Sequence, residues 1–351
     1  MLTYKAIHAK FKFNGSYYNY NTLNTLALNL KNDKALFNIE IGEFLQHWQD
    51  DCNTITLKTS GSTGTPKTIL MQKQAMVNSA LATGFYFNLK PKDKVLLCLP
   101  AHYIAGKMML IRAMVLGLEI DSIAPKSKLN IDTEIHYNFA AMVPMQLNNS
   151  LNFIDNIKTI IVGGAKVSLT LQLKLQSLKT SFFETYGMTE TVSHIAVKQL
   201  NHKQSTGFKT LPNIIISQDN RGCLVIDAPR VSSNKIVTND VVKLISKSEF
   251  IWLGRADNII NSGGVKVFPE QIENLLSSKI NSRFFIASES DDTLGTRVIL
   301  IIESEKYSID ASVFSALDAF SKPKKTYFLN RFIETTSGKI QRKKTLQLLK
   351  K

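Results

Sequence analysis

From about Ile55 onward, short apolar runs take turns with segments of helical period, and this alternation constrains the fold more than any other feature of the chain. Residues 95–100 and 159–162 read as strands, and residues 105–116 and 169–178 as the helices that follow them. A strand is a short apolar run bounded by turn residues, whereas a helix repeats its apolar positions every three to four residues. Alternation of the two predicts α/β layering, with helices covering a sheet. Past Thr206 the text changes to strand-like pieces at 213–217, 223–226 and 250–253, which predicts a β-rich, barrel-like subregion. After Gly254 come a Gly-rich turn, a helix opened by Pro269 and Glu270, strands around 284–287 and 298–303, another helix and a basic tail.

The chain has 351 residues, enough for two domains. The expected boundary lies near Arg255–Asp257, giving a large α/β domain over 1–254 and a small α+β domain over 255–351. Hydrophobic residues make up 44% and charged residues 20%, which excludes a disordered chain. The net charge of +15 raises the question of a polyanionic partner. Residues 322–351 hold ten Lys/Arg against the single acid Glu334, yet without aromatic interleaving or a zinc-finger pattern. The charge therefore suits small phosphorylated ligands, and no nucleic-acid partner is expected. The most apolar stretch, 104–118, is broken by Lys107 and Arg112 and is short for a bilayer span of ~20 residues, so no membrane insertion is expected. Residues 1–14 lack a secretory pattern, and Cys52, Cys98 and Cys223 are scattered, so a cytoplasmic location is expected.

The densest chemistry lies in Thr59, Ser60, Gly61, Ser62, Thr63, Gly64, Thr65, Pro66 and Lys67, between the β-like run Thr54–Lys58 and another apolar stretch. Hydroxyls, bare backbone N–H groups and a terminal cation form the donor set that a polyphosphate needs. The alternative is a flexible Ser/Gly surface loop. The spacing is not that of a Walker A loop, which argues against a P-loop NTPase.

This loop resembles the phosphate loop of the superfamily that contains acyl-CoA synthetases, peptide-synthetase adenylation domains and luciferases. Four further segments occur in the order that family requires. They are Tyr186-Gly187-Met188-Thr189-Glu190, Thr238-Asn239-Asp240, Gly254-Arg255-Ala256-Asp257 running on to Gly263-Gly264-Val265-Lys266, and Ser337-Gly338-Lys339-Ile340-Gln341-Arg342. Each alone has a bland reading as a turn or a solvated charge. Five in order, over about four-fifths of the chain, share one explanation.

The resemblance implies an enzyme that uses ATP and Mg²⁺ to turn a small-molecule carboxylate into its acyl-AMP and then transfers the acyl group to coenzyme A. It implies that residues 59–67 hold the β- and γ-phosphates, that Glu190 binds Mg²⁺, and that Thr189 and Lys339 act on the α-phosphate. Gly163, Gly164 and Ala165 would let backbone approach the adenine on which Tyr186 stacks, while Asp240, assisted by Arg255, takes the ribose hydroxyls. The small domain would be mobile, turning about Asp257, with Gly263 and Gly264 lining the passage for coenzyme A.

Two departures stand out. Asn239 replaces the usual glycine of a Thr-Gly-Asp turn, a change that a positive-φ turn tolerates. The phosphate loop also begins early, so the N-terminal part of the large domain is shortened. Where the family places its acyl-pocket segment, this chain has His102, Tyr103 and Lys107, with Tyr103 at the usual histidine position. With that segment the chain looks most like the short o-succinylbenzoate–CoA ligases of menaquinone synthesis, whose substrate carries a second carboxylate that needs a cation; His102 and Lys107 are the candidates. A ligase for another small acid, one loading a carrier protein, and a non-catalytic adenylate or nucleic-acid binder are the alternatives.

Overall fold

The computed structural model describes residues 3–58, 68–203, 205–334 and 340–350. Thirteen strands share one sheet. Its centre is parallel, with Glu119–Ser122, Lys94–Leu97, Tyr137–Met142, Ile157–Val162 and Ser181–Gly187 side by side in that order. Alternate residues of these strands enter two cores. Val95, Leu97, Phe139 and Ala141 face one, under helices Leu23–Lys31, Leu36–Gln49, Lys73–Phe87 and Ile104–Leu116. Leu96, Ala140, Met142, Ile160 and Val162 face the other, with Leu171 and Leu175 of helix Leu169–Leu175. This is the period-two pattern of a sheet covered on both sides, in which each fully buried Leu, Ile or Phe contributes about 1.5–3 kcal/mol. Strand Lys94–Leu97 stops short of the expected residue 100 because the chain turns there, and the Pro100 carbonyl lies where a Cβ on Gly106 would be 2.2 Å away.

Beyond Ser181–Gly187 the sheet continues antiparallel through His194–Gln199, Phe208–Thr210, Glu249–Arg255, Ile236–Ser246, Cys223–Asp227 and Ile215–Gln218. The β-rich subregion after Thr206 is thus joined to the main sheet through Phe208–Thr210. At the opposite edge the short pair Lys12–Phe13 and Ser16–Tyr17 ends the sheet. A separate hairpin pairs Thr54–Lys58 with Thr68–Gln72, Lys58 opposite Thr68.

The smaller domain has its own core, built on Ile272, Leu276, Ile286, Val298, Leu300 and Ile302. It starts with hairpin Ile260–Ser262 and Val265–Val267, whose two-residue loop, Gly263 at φ +58° and Gly264 at φ +81°, is the turn that suits twisted strands. Helix Pro269–Leu276 follows, with proline in its first turn. Phe284–Asp291, Gly295–Glu303 and Lys325–Leu329 form a three-stranded sheet. The helix expected between these strands and the tail is reduced to one 3₁₀ turn, Ala311–Phe314, and part of the basic tail is the edge strand Lys325–Leu329. An edge strand keeps one side in water, so its lysine does not oppose pairing. Among the described residues no helix is long and apolar enough to cross a membrane.

Candidate nucleotide and acyl site

The sheet changes from parallel to antiparallel beside Ser181–Gly187, and open α/β sheets bind ligands outside the carboxyl ends of their parallel strands. Gly163 and Gly164 follow strand Ile157–Val162 at that end. A Cβ on Gly163 would lie 2.6 Å from Thr185 Oγ1, and Gly164 has φ +83°. Both features require glycine and leave this backbone bare, with Ala165 exposed beside it.

One strand over, Tyr186 packs its ring on Phe208 and Phe250 and donates its hydroxyl to Asp240 Oδ2 at 2.7 Å. Trp252 donates its indole N–H to Asp240 Oδ1 at 3.2 Å, and Arg255 Nη1 stands 3.7 Å from the same oxygen. Asp240 is only 7% exposed, a burial that is costly for a carboxylate unless its oxygens accept hydrogen bonds. Here both do. Burial and the neighbouring Asp240 push the Tyr186 hydroxyl well above its ordinary range, so it remains a donor. Thr238-Asn239-Asp240 is not a turn: it lies inside strand Ile236–Ser246, with Asp240 opposite Arg255, and Asn239 is not among the positive-φ residues. The Asn239 side chain instead accepts from Arg221 at 3.0 Å and donates to Asp257 Oδ2 at 3.2 Å. Arg255 reaches Asp257 as well, at 3.7 Å.

Gly187 and Met188 lead from strand Ser181–Gly187 into the 3₁₀ turn Thr189–Thr191. Glu190 is exposed and has no hydrogen-bond or ion-pair partner among the described residues. No cluster of three or more His, Cys, Asp or Glu suited to a metal occurs among those residues. One free carboxylate beside a hydroxyl fits Mg²⁺ that arrives with phosphates, since Mg²⁺ in such sites takes one or two carboxylates and completes its shell with phosphate and water.

His102, Tyr103 and Lys107 sit together at the start of helix Ile104–Leu116, which follows strand Lys94–Leu97, two strands away from Ile157–Val162 in the sheet order. His102 Nδ1 is 2.7 Å from Glu40 Oε1, and Tyr103 is exposed. Lys107 Nζ donates to the carbonyls of Ala101 at 2.6 Å and His102 at 2.8 Å. Burial, partly offset by Glu40 and Glu43, lowers Lys107 to about 8. Both candidate side chains, His102 and Lys107, therefore already have partners within the chain.

Sequence reasoning missed the cation with fewer. Arg112, further along the same helix, is 2% exposed; its Nε has no partner, and Nη1 meets only Met109 Sδ at 3.6 Å among the described residues. Burial alone lowers it to about 10, so it stays charged at neutral pH. His194 is buried nearby with Nε2 unpartnered among the described residues, and burial and the charge of Arg112 hold it well below its ordinary value. An Arg in the middle of a helix whose other charged residue, Lys107, lies near its start was the available signal.

The two domains meet at strand Glu249–Arg255, where Gln271 Nε2 donates to the carbonyls of Trp252 at 3.1 Å and Leu253 at 2.7 Å. Glu270 accepts from Asn258, and a Cβ on Gly254 would lie 2.5 Å from Glu270 Oε2. Thr59, Ser60, Gly61, Ser62, Thr63, Gly64, Lys67 and Lys339 fall outside the described residues.

Residues 42–225 match the AMP-binding enzyme family over more than half of the chain. This chain belongs to that family. The solved structure of an acyl-CoA synthetase (AMP-forming)/AMP-acid ligase II-like protein from Dyadobacter fermentans is similar with TM-score 0.62 and 34% identity, covering 93% of this chain and 98% of that one. Its place in the AMP-binding family is accordingly among the AMP-forming acyl-CoA synthetases. A 2-succinylbenzoate–CoA ligase of Listeria monocytogenes is 23% identical over 334 residues, 86% of this chain and 71% of the relative. The o-succinylbenzoate coenzyme A synthetase of Bacillus subtilis, in complex with ATP and magnesium ion, shares the fold with TM-score 0.70 and 20% identity, over 83% of this chain and 69% of that one.

Proposed function

We propose that the chain activates a carboxylic acid bearing a second carboxylate, o-succinylbenzoate being the acid, and passes it to coenzyme A. One acid oxygen attacks the α-phosphorus of ATP, the bond to the bridging oxygen breaks, and pyrophosphate leaves with that electron pair. The coenzyme A thiol then adds to the acyl carbon, AMP departs, and the thiol proton goes to solvent. Mg²⁺, when bound with ATP, neutralises charge on the phosphates. Asp240 and Arg255 hold the ribose, Tyr186 and the bare backbone of Gly163-Gly164 hold the adenine, and Glu190 faces the metal. Lys339 supplies positive charge where the α-phosphate gains negative charge, and the small domain turns about Asp257 between the two steps.

The observation that carries the choice of acid is Arg112. A buried guanidinium costs several kcal/mol unless an anion meets it. Arg112 lacks a carboxylate partner among the described residues, and an acid with a second carboxylate would provide one. The names of the curated relatives support the same acid. ATP–pyrophosphate exchange across a panel of mono- and dicarboxylic aryl acids, followed by detection of the thioester with coenzyme A, tests the reading. Exchange that is fastest with a monocarboxylic acid, or a thioester that never forms, overturns it.

A further inference from the structure

The turn between Glu190 and His194 contains the strained backbone of a residue poorly suited to it. Val192 has φ +67° and ψ −58°, and Ser193 N donates to Thr191 O at 2.8 Å. That is a γ-turn of the rarer, strained hand, with a β-branched residue at its centre. Such geometry persists only where the surroundings over-determine it. Three features do so here. Val192 is fully buried in the main core. Thr191, also fully buried, accepts from Met188 N at 2.9 Å, and its hydroxyl lies 2.9 Å from Met188 O and 2.7 Å from Ser193 O. Ser193 Oγ is 2.7 Å from Ser79 Oγ on helix Lys73–Phe87, the helix that follows the hairpin enclosing residues 59–67.

We propose that Thr191 and Val192 are positioning residues: the hydroxyl clasp and the strained γ-turn fix the short loop so that Thr189 and Glu190 are presented to the metal-bound phosphates. An unstrained loop of the same length would leave Glu190, which has no partner of its own among the described residues, free to sample other directions. The strain is therefore a cost in stability that yields a preset carboxylate. This rests on the reading of Glu190 as the residue facing Mg²⁺.

The test compares Val192→Ala with Val192→Gly. Both lose the two methyl groups, but only glycine relaxes the positive φ. Val192→Gly should melt at or above the temperature of Val192→Ala. Its Mg²⁺-dependent gain in ATP affinity, measured by calorimetry with and without the metal, should nevertheless be about 10-fold smaller, and its pyrophosphate exchange about 10-fold slower. Thr191→Val should lose exchange by about 10- to 100-fold with metal-free ATP affinity unchanged, and Thr191→Ser should restore it to within about 3-fold. Equal Mg²⁺ dependence in the two Val192 variants, or a folded Thr191→Val that behaves as wild type, overturns the proposal. If Thr191→Val does not fold, the Val192 pair decides alone. Calorimetry needs no acyl acid. A wild type that binds Mg-ATP yet exchanges with no acid would therefore count against the proposed function, while the Val192 comparison would still decide the role of the turn.

Discussion

Around Asp240 both carboxylate oxygens accept hydrogen bonds, from Tyr186 and from Trp252, and Arg255 stands close by. Around Arg112 the reverse holds: among the described residues Nε is orphaned, and so is Nε2 of His194. Both regions lie in one sheet-and-helix frame, and both bury charge. One end has its hydrogen bonds complete, and the other, on the proposed reading, is left for its ligand to complete. That division suits the proposed reading, in which the Asp240 end takes the nucleotide and the Arg112 end selects the acid. It also means that the two ends respond to mutation with different signs.

The largest effect is expected at Arg112. Methionine of similar length removes a buried, poorly paired cation, so Arg112→Met should raise stability by about 1–3 kcal/mol, read as a higher melting temperature. The same change should lower kcat/KM for the dicarboxylic acid by on the order of 100-fold or more, because truncating one partner of a buried charge pair typically costs about 2–5 kcal/mol. KM for ATP should stay where it was. A variant that is less stable, with unchanged use of the acid, would show that Arg112 serves the fold, and the contrast between the two ends would collapse.

Asp240→Asn should give the opposite pattern at a smaller scale. The amide oxygen can still accept from Trp252, and the amide NH₂ can donate to the Tyr186 hydroxyl if that group turns to accept. Because one arrangement survives, the loss should be about 1–2 kcal/mol of stability, with KM for ATP raised about 5- to 30-fold and KM for the acid untouched. Steady-state kinetics with each substrate varied in turn would check this, and an ATP KM within about twofold of wild type would remove Asp240 from the ribose.

The complete end was the more legible one in the sequence. Tyr186, Asp240 and Arg255 each stand in a short pattern with fixed spacing, and chemistry that depends on spacing survives without coordinates. Trp252 was not legible. Its N–H reaches Asp240 only because Glu249–Arg255 lies against Ile236–Ser246 with a register shift between Val241 and Val242, which no local pattern specifies. Asn239 was misjudged for a related reason: its motif suggested a turn, whereas pairing with the neighbouring strand carried the backbone straight through. Lys325–Leu329 was hidden by its charge, because a basic composition says nothing about an edge that keeps one side in water. Arg112 was visible as a letter but taken only as an interruption of an apolar run. Its meaning depends on which partners the fold withholds from it.

The smallest effect is expected at Lys107, and it separates the two cations of helix Ile104–Leu116. Lys107 in the folded chain titrates at about 8, below its ordinary value of 10.5, because burial disfavours its charge. Between those two values the unfolded chain binds the proton and the folded chain does not, so this group makes stability rise with pH across that window and has no slope below it. Lys107→Met should lack that rise, which chemical denaturation at pH 7, 8, 9 and 10 would reveal as a flatter profile for the variant. Binding should behave otherwise. The ammonium already donates to the carbonyls of Ala101 and His102, whereas Arg112, at about 10, keeps its charge across the neutral range. KM for the dicarboxylic acid should therefore change by less than about 3-fold between pH 7 and 9, in wild type and variant alike. A KM that climbs with a midpoint near 8 in the wild type and stays flat in Lys107→Met would place the lysine against the substrate, and Arg112 would then no longer be the residue that selects the acid.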